Sequence, residues 1–232
     1  MKLYNQGEYI SNVQLSQLYE LMPSKLKKLP VEVCIAKSYE FFEKNNLSPR
    51  HEFEVKKMLE NGVDGLYYSG LIVVFEDLIL DRCFDGQFYW MFAYLLIHEL
   101  RHCEQAYYFQ HRWDIVMSDY DAGYLEKLIE NESFNNENLK QLHWAEQDAY
   151  TYCYRFVVNH KKEIAKIFDL KELPILERFD IDISMDQVWR EYRKKLDLFS
   201  RCIWIVVDIF WNRKRMSKQR RLMHIKPFKY DG

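Results

Sequence analysis

The stretch QFYWMFAYLLIHELRHCEQAYYF, residues 87–109, decides the fold. No Gly or Pro interrupts it, and Phe88, Met91, Phe92, Leu95, Leu96 and Ile97 recur at helical spacing, which predicts a buried helix of about six turns. His98 and His102 fall in its second half, one turn apart, with Glu99 between them. Side chains at i and i+4 leave a helix on one face about 5–6 Å apart, so both imidazoles can reach one ion at about 2.0–2.1 Å. Glu99 is turned about 100° from His98, where it can touch a water on that ion without ligating it, as a general base must. Hydrogen-bonded histidines on a half-buried helix are the plain alternative. The metal reading is favoured by context, since the motif follows a strand-like run and its helix has an apolar face to bury.

That run is GLYYSGLIVVFEDLIL, Gly65 to Leu80, rich in β-branched and aromatic residues and broken at Ser69-Gly70, which predicts a small sheet or hairpin. Upstream, Val13, Leu15, Leu18, Tyr19, Leu21 and Met22 form a helical stripe after the possible cap Ser11. A second helix is expected from about Pro30 to Lys44, closed by Asn45, Asn46 and Ser48-Pro49. Downstream, the Asn-rich Glu130 to Lys140 reads as a surface connection leading to a helix from His143 to about His160. Met185 to Trp211 returns to helical spacing, and its apolar end, Leu198 to Trp211, is read as a packed helix because it is shorter than the ~20 residues of a membrane span. With only 7 Gly and 5 Pro in 232 residues, the chain is expected to be α+β and predominantly α-helical. Five scattered cysteines without a C-x-x-C pair, and a polar start, suit a reducing, cytoplasmic setting.

A catalytic zinc needs a third protein ligand and an open position. WAEQDAYTYCYRF, Trp144 to Phe156, offers Glu146 in the first turn of its helix, with Ala149 small enough for close helix approach and Tyr150 and Cys153 further along the same face. Glu146 is the favoured ligand. His143 and Asp148 are its rivals, Asp148 being better suited to supporting a ligand histidine. Cys103 falls off the ligand face and reads as a structural thiol, whereas Gln105 shares the histidine face and is either a supporting group or a cleft-edge polar residue.

H-E-L-R-H followed by E-x-D-A on a second helix resembles the gluzincin metallopeptidases, particularly small intracellular and mobile-element forms, and the likeness spans about Gly65 to Phe156. The resemblance implies a zincin-like core with a small β-sheet beside the H-E-x-x-H helix. It further implies one zinc per chain on His98, His102 and Glu146, with Glu99 activating water. An edge strand pairing with extended substrate is also implied, and Leu71 to Phe75 is the matching segment. The 44-residue separation of His102 from Glu146 exceeds that of compact members, so Asp114 to Lys140 would shape or cover the cleft. The oxyanion-stabilising Tyr or His of the family has four candidates here, Tyr150, Tyr154, His143 and His160.

The expected organisation is a single metallopeptidase-like domain over residues 1–211 and a basic tail over 212–232. The tail carries eight Lys/Arg against one Asp, a net of +7 in a chain whose total is −2. It is read as solvated or as contacting an acidic partner, nucleic acid or a membrane surface. The expected activity is zinc-dependent hydrolysis of a peptide bond in a specific intracellular protein. The competing expectation is a non-catalytic regulatory binding protein that keeps the metalloprotease scaffold and engages a protein or nucleic acid through the tail.

Overall fold

The computed structural model describes residues 1–38, 65–68, 70–83, 87–109, 144–174, 186, 190, 193–194, 196–207 and 209–210. Among the described residues the fold is mostly helical with one small sheet. Four strands, β1 (Lys2–Gln6), β2 (Glu32–Ala36), β3 (Gly65–Tyr68) and β4 (Leu71–Phe75), lie in the order β1-β2-β4-β3. β1, β2 and β4 are mutually parallel and β3 returns antiparallel to β4. Val33, Cys34, Ile35 and Ala36 of β2 and every residue of β4 are buried. Central strands covered on both faces lose the apolar–polar alternation of half-exposed ones.

This sheet corrects the expected helix from Pro30 to Lys44. Val31, Val33 and Ile35 are buried, and Glu32–Ala36 bridges β1 and β4. Proline at a plausible first helical position reads the same in either structure, and the deciding partners are strands distant in sequence. The remainder of that expected helix, from residue 39, lies outside the described residues. The expected hairpin is present, with Gly70 at φ 93°, a left-handed conformation that glycine adopts without a Cβ penalty. Its carbonyl accepts from Glu32 N at 2.9 Å, tying the turn to β2.

Helix α1 (Asn12–Leu21) and the short α2 (Ser24–Lys27) carry the chain from β1 to the parallel β2. Ser11 caps α1 as expected, in a reciprocal capping box with Gln14, and Leu15 and Leu18 are buried beneath it. β4 runs directly into α3 (Glu76–Arg82), so the strand-like reading of Glu76 to Leu80 gives way to a helix. Glu76 is fully buried, and its carboxylate accepts from the backbone N–H of Glu8 (2.6 Å), Tyr9 (3.1 Å) and Ile10 (2.9 Å). Gly7 lies against the same carboxylate, and a Cβ there would overlap it. The segment after β1 is thereby fastened to the end of β4.

α4 (Phe88–Glu104) is the expected buried helix, extended by a π-helical turn over Gln105–Phe109. Phe88, Trp90, Phe92, Leu96, Ile97 and Leu100 lie in the main core, and α4 packs against β3 and β4 on one side and most extensively against α5 (Trp144–Asn159) on the other. Ala149 and Cys153 are fully buried on α5, as close helix approach requires. α6 (Lys161–Ile167) follows and packs on α1 and α5. Residues 198–207 and 209–210 are helical but not packed: Leu198 is 77%, Phe199 75% and Phe210 70% exposed. The expectation of a packed helix there is corrected, because helical periodicity and apolar content do not say what covers a face. Among the described residues no helix is long and apolar enough to cross a membrane.

Candidate metal centre

α4 and α5 bring together His98, His102 and Glu146, whose ligand atoms all lie within 4.8 Å of one another. The two Nε2 atoms are 2.9 Å apart. Glu146 bridges them, with Oε2 at 3.2 Å from His98 Nε2 and Oε1 at 3.2 Å from His102 Nε2. Ligand atoms about 2.0–2.2 Å from a tetrahedral ion stand roughly 3.3–3.6 Å from each other, so this triangle is only a few tenths of an ångström too tight for one. Two imidazoles and a carboxylate are also a donor set suited to a divalent transition metal. The three residues fit a metal ion, and they do so because i and i+4 of α4 share a face that opposes the first turn of α5.

The protonation equilibria of His102 and Glu146 reflect the site they share. Burial opposes a charge on His102, but the hydrogen bond and charge of Glu146, helped by the charge of Glu99 and the hydrogen bond of Gln105, outweigh it and raise its pKa. Burial likewise opposes the Glu146 carboxylate, and the hydrogen bonds and charges of His102 and His98 overcome this, holding it well below the usual carboxylate range. In the absence of an ion the cluster is thus a proton-holding site, and a bound cation would take the proton's place.

His98 Nδ1 is buried and without a hydrogen-bond partner. The His98 ring lies 4.6 Å from that of Tyr150 and 4.5 Å, edge-on, from that of His102. Burial, reinforced by the charge of Glu146, pushes the Tyr150 hydroxyl up to about 12, so it remains a proton donor across the neutral range. Of the other oxyanion candidates, Tyr154 packs against the core, His160 lies against Phe156 at 4.7 Å, and His143 is outside the described residues. Among the described candidates, Tyr150 is the one placed beside the cluster.

Glu99 is buried on α4 directly after His98. Cys103 is fully buried in the core, as expected of a structural thiol. Asp148 is not a member of the cluster. It takes two hydrogen bonds from the fully buried Arg101, Nε to Oδ2 at 2.6 Å and Nη2 to Oδ1 at 3.0 Å, and one from Gln105 Nε2 at 2.8 Å. Arg101 also donates from Nη1 to Glu104 Oε2 at 2.7 Å, approaches Asp186 at 3.6 Å and lies 4.6 Å from the Tyr152 ring centroid. Sequence reasoning passed over Arg101 and Glu104. Their i,i+3 spacing within an otherwise apolar helix was the available signal, because charges in that setting must find partners.

The strand assignment for substrate is corrected as well. Leu71 to Phe75 is a central strand, paired by β2 on one side and β3 on the other. The edge strand of the hairpin is β3, Gly65–Tyr68, which lies alongside α4. The segment Asp114 to Lys140 and the basic tail lie outside the described residues. The chain matches no family model, no curated protein and no solved structure.

Proposed function

We propose that the protein is a zinc-dependent metallopeptidase of the gluzincin type, with a zincin-like core, that hydrolyses a peptide bond in a specific protein. The observation that carries this reading is the convergence of His98 Nε2, His102 Nε2 and the Glu146 carboxylate from two helices. Zinc held by these three residues supplies Lewis acidity, which polarises a carbonyl and lowers the pKa of water. Glu99, one residue from the first ligand, accepts a proton on its carboxylate and returns it to the departing amine. Tyr150, a hydroxyl donor next to His98, is the group best placed to stabilise negative charge on a carbonyl oxygen. Among the described residues no strand pairs with the outer edge of β3, so an extended peptide added there would run beside the motif helix.

The test is metal content and turnover together. Wild type purified without a histidine tag should carry about one zinc per chain, and His102→Ala and Glu146→Gln should lose it. Glu99→Gln should keep the zinc while peptide hydrolysis falls about 10²–10⁴-fold. A folded wild type that takes up no zinc when it is supplied, or an undiminished rate in Glu99→Gln, overturns the assignment.

A second reading, a binding protein that acts by holding a partner, is favoured by the exposed apolar helical residues 198–207 and 209–210, which precede the basic sequence 212–232. Under that reading deletion of 212–232 abolishes function and Glu99→Gln leaves it intact.

A further inference from the structure

Gln105 stands between the candidate ligand His102 and the buried Asp148–Arg101 pair. It sits three residues after His102, at the point where the α-helix passes into the π-helical turn, and its own N–H is shared between the carbonyls of Arg101 and His102. In its carboxamide, Oε1 lies 2.9 Å from His102 Nδ1, and Nε2 lies 2.8 Å from Asp148 Oδ2.

An ionised carboxylate only accepts hydrogen bonds, so the amide must turn its NH₂ toward Asp148. That fixes its oxygen toward His102. An amide oxygen in turn only accepts, so it draws the proton of the neutral imidazole to Nδ1, against the competing Glu146 carboxylate 3.2 Å from Nε2. Nε2, which faces His98 and Glu146, is then left with its lone pair. The choice is enforced from behind, because the paired hydrogen bonds from the fully buried Arg101 orient the Asp148 carboxylate in one plane. Arg101 is itself held by Glu104, which Lys25 approaches at 3.4 Å.

We propose that Gln105 is a positioning residue of this centre: aligned by Asp148 and Arg101, it selects the His102 tautomer whose Nε2 can ligate a metal. The inference rests on the metal reading above and adds to it an asymmetry between the two histidines. His102 is oriented through a three-residue relay, whereas His98 Nδ1 has no hydrogen-bond partner and is held by packing against Tyr150. Loss of an outer partner of a ligating histidine lowers metal affinity about 10–100-fold. That loss is expected at Gln105, which bears on His102 through Nδ1 and not through the ligating Nε2.

The experiment uses the full chain, labelled with ¹⁵N-histidine, metal-free and at alkaline pH, where long-range ¹H–¹⁵N spectra report which ring nitrogen carries the proton. Zinc affinity of the same material is measured by competition with a chromophoric chelator. Wild type should show His102 protonated on Nδ1. Gln105→Met, which keeps length and removes the acceptor, should mix or invert the tautomer and weaken zinc binding about 10–100-fold, while far-UV and near-UV circular dichroism stay those of wild type. Wild-type His102 protonated on Nε2 overturns the proposal and needs no variant to fold. Gln105→Met with unchanged zinc affinity overturns it too. Failure of the underlying metal reading looks different: wild type takes up no zinc although the Nδ1 proton is in place, and the relay is then structural only.

Discussion

Replacing Arg101 by Met should cost far more than its single-residue change in surface chemistry suggests. Arg101, Asp148 and Glu104 are all essentially inaccessible to water, and the guanidinium is the cation common to both carboxylates. The Lys25 ammonium, 3.4 Å from Glu104 on a largely exposed side chain, offers Glu104 only partial compensation, while Asp148 keeps a hydrogen bond from the neutral Gln105. Removing one partner of a buried pair typically costs about 3–5 kcal/mol, because the surviving charge loses its main counter-ion where water does not reach it. In a domain of this size each kcal/mol moves Tm by about 2–4 °C, so Arg101→Met should melt roughly 6–20 °C below wild type. Differential scanning calorimetry in the presence of a chelator isolates this from any metal effect. The companion variant Arg101→Met/Glu104→Leu/Asp148→Leu removes the uncompensated charges as well, and should recover a large part of the loss, since apolar replacements of buried ion pairs are often neutral or better. A single variant that melts within about 2 °C of wild type, or a triple variant no more stable than the single, would refute the view that uncompensated charge is what destabilises.

Two other parts of the molecule give equally direct expectations. Gly7→Ala should destabilise by about 1–3 kcal/mol, because the new methyl overlaps a Glu76 carboxylate that three backbone N–H groups hold in place; urea titration reads the change, and a stability equal to wild type would mean the carboxylate moves freely. In the metal-free protein the cluster should make stability depend on pH with opposite signs at its two ends. His102 has a raised pKa, so its contribution is complete below the ordinary 6.5 and is lost as pH climbs through the raised value. Glu146 has a lowered pKa, so its contribution is complete above the ordinary 4.5 and is lost as pH falls through the lowered value. The stability difference between wild type and Glu146→Gln, followed by thermal melts in chelator, should therefore shrink as pH rises through the His102 transition; a difference that grows with pH would contradict the assignment. Zinc affinity should run the other way, strengthening with rising pH as the competing proton leaves.

What could be read from the letters alone was governed by sequence distance. The His98–His102 pair is a property of one helical turn, and the apolar periodicity of residues 88–104 announces the helix that carries it, so both were legible. The same holds for the Ser11–Gln14 box and the Gly70 turn, each a rule of local geometry. Glu146 was reachable because a carboxylate in the first turn of a helix with a small residue at Ala149 is a recognisable local pattern, although its meeting with His98 spans 48 positions. The failures lie where identity depends on a partner far along the chain. β1 is too polar to announce itself as a strand, and β2 is buried on both faces, so it lacks the alternation that would mark it. Each owes its conformation to the other and to β4. Leu71–Phe75 was recognised as extended, but whether a strand is central or at an edge is decided by the neighbours it acquires.

Arg101 shows why the same limit hides function-bearing chemistry. Written in sequence, it is one more basic residue between two histidines; folded, it pairs with an aspartate 47 positions away, and through that aspartate and Gln105 it bears on His102. A motif states which side chains share a face. It does not state which of them are deprived of water, and that deprivation turns an exposed Arg–Asp pair worth about 0–1 kcal/mol into one whose rupture costs several. The α4–α5 contact is therefore more than support for three ligands, because the burial that brings Glu146 to the histidines also excludes water from the Arg101–Asp148 pair and gives Gln105 a single allowed orientation.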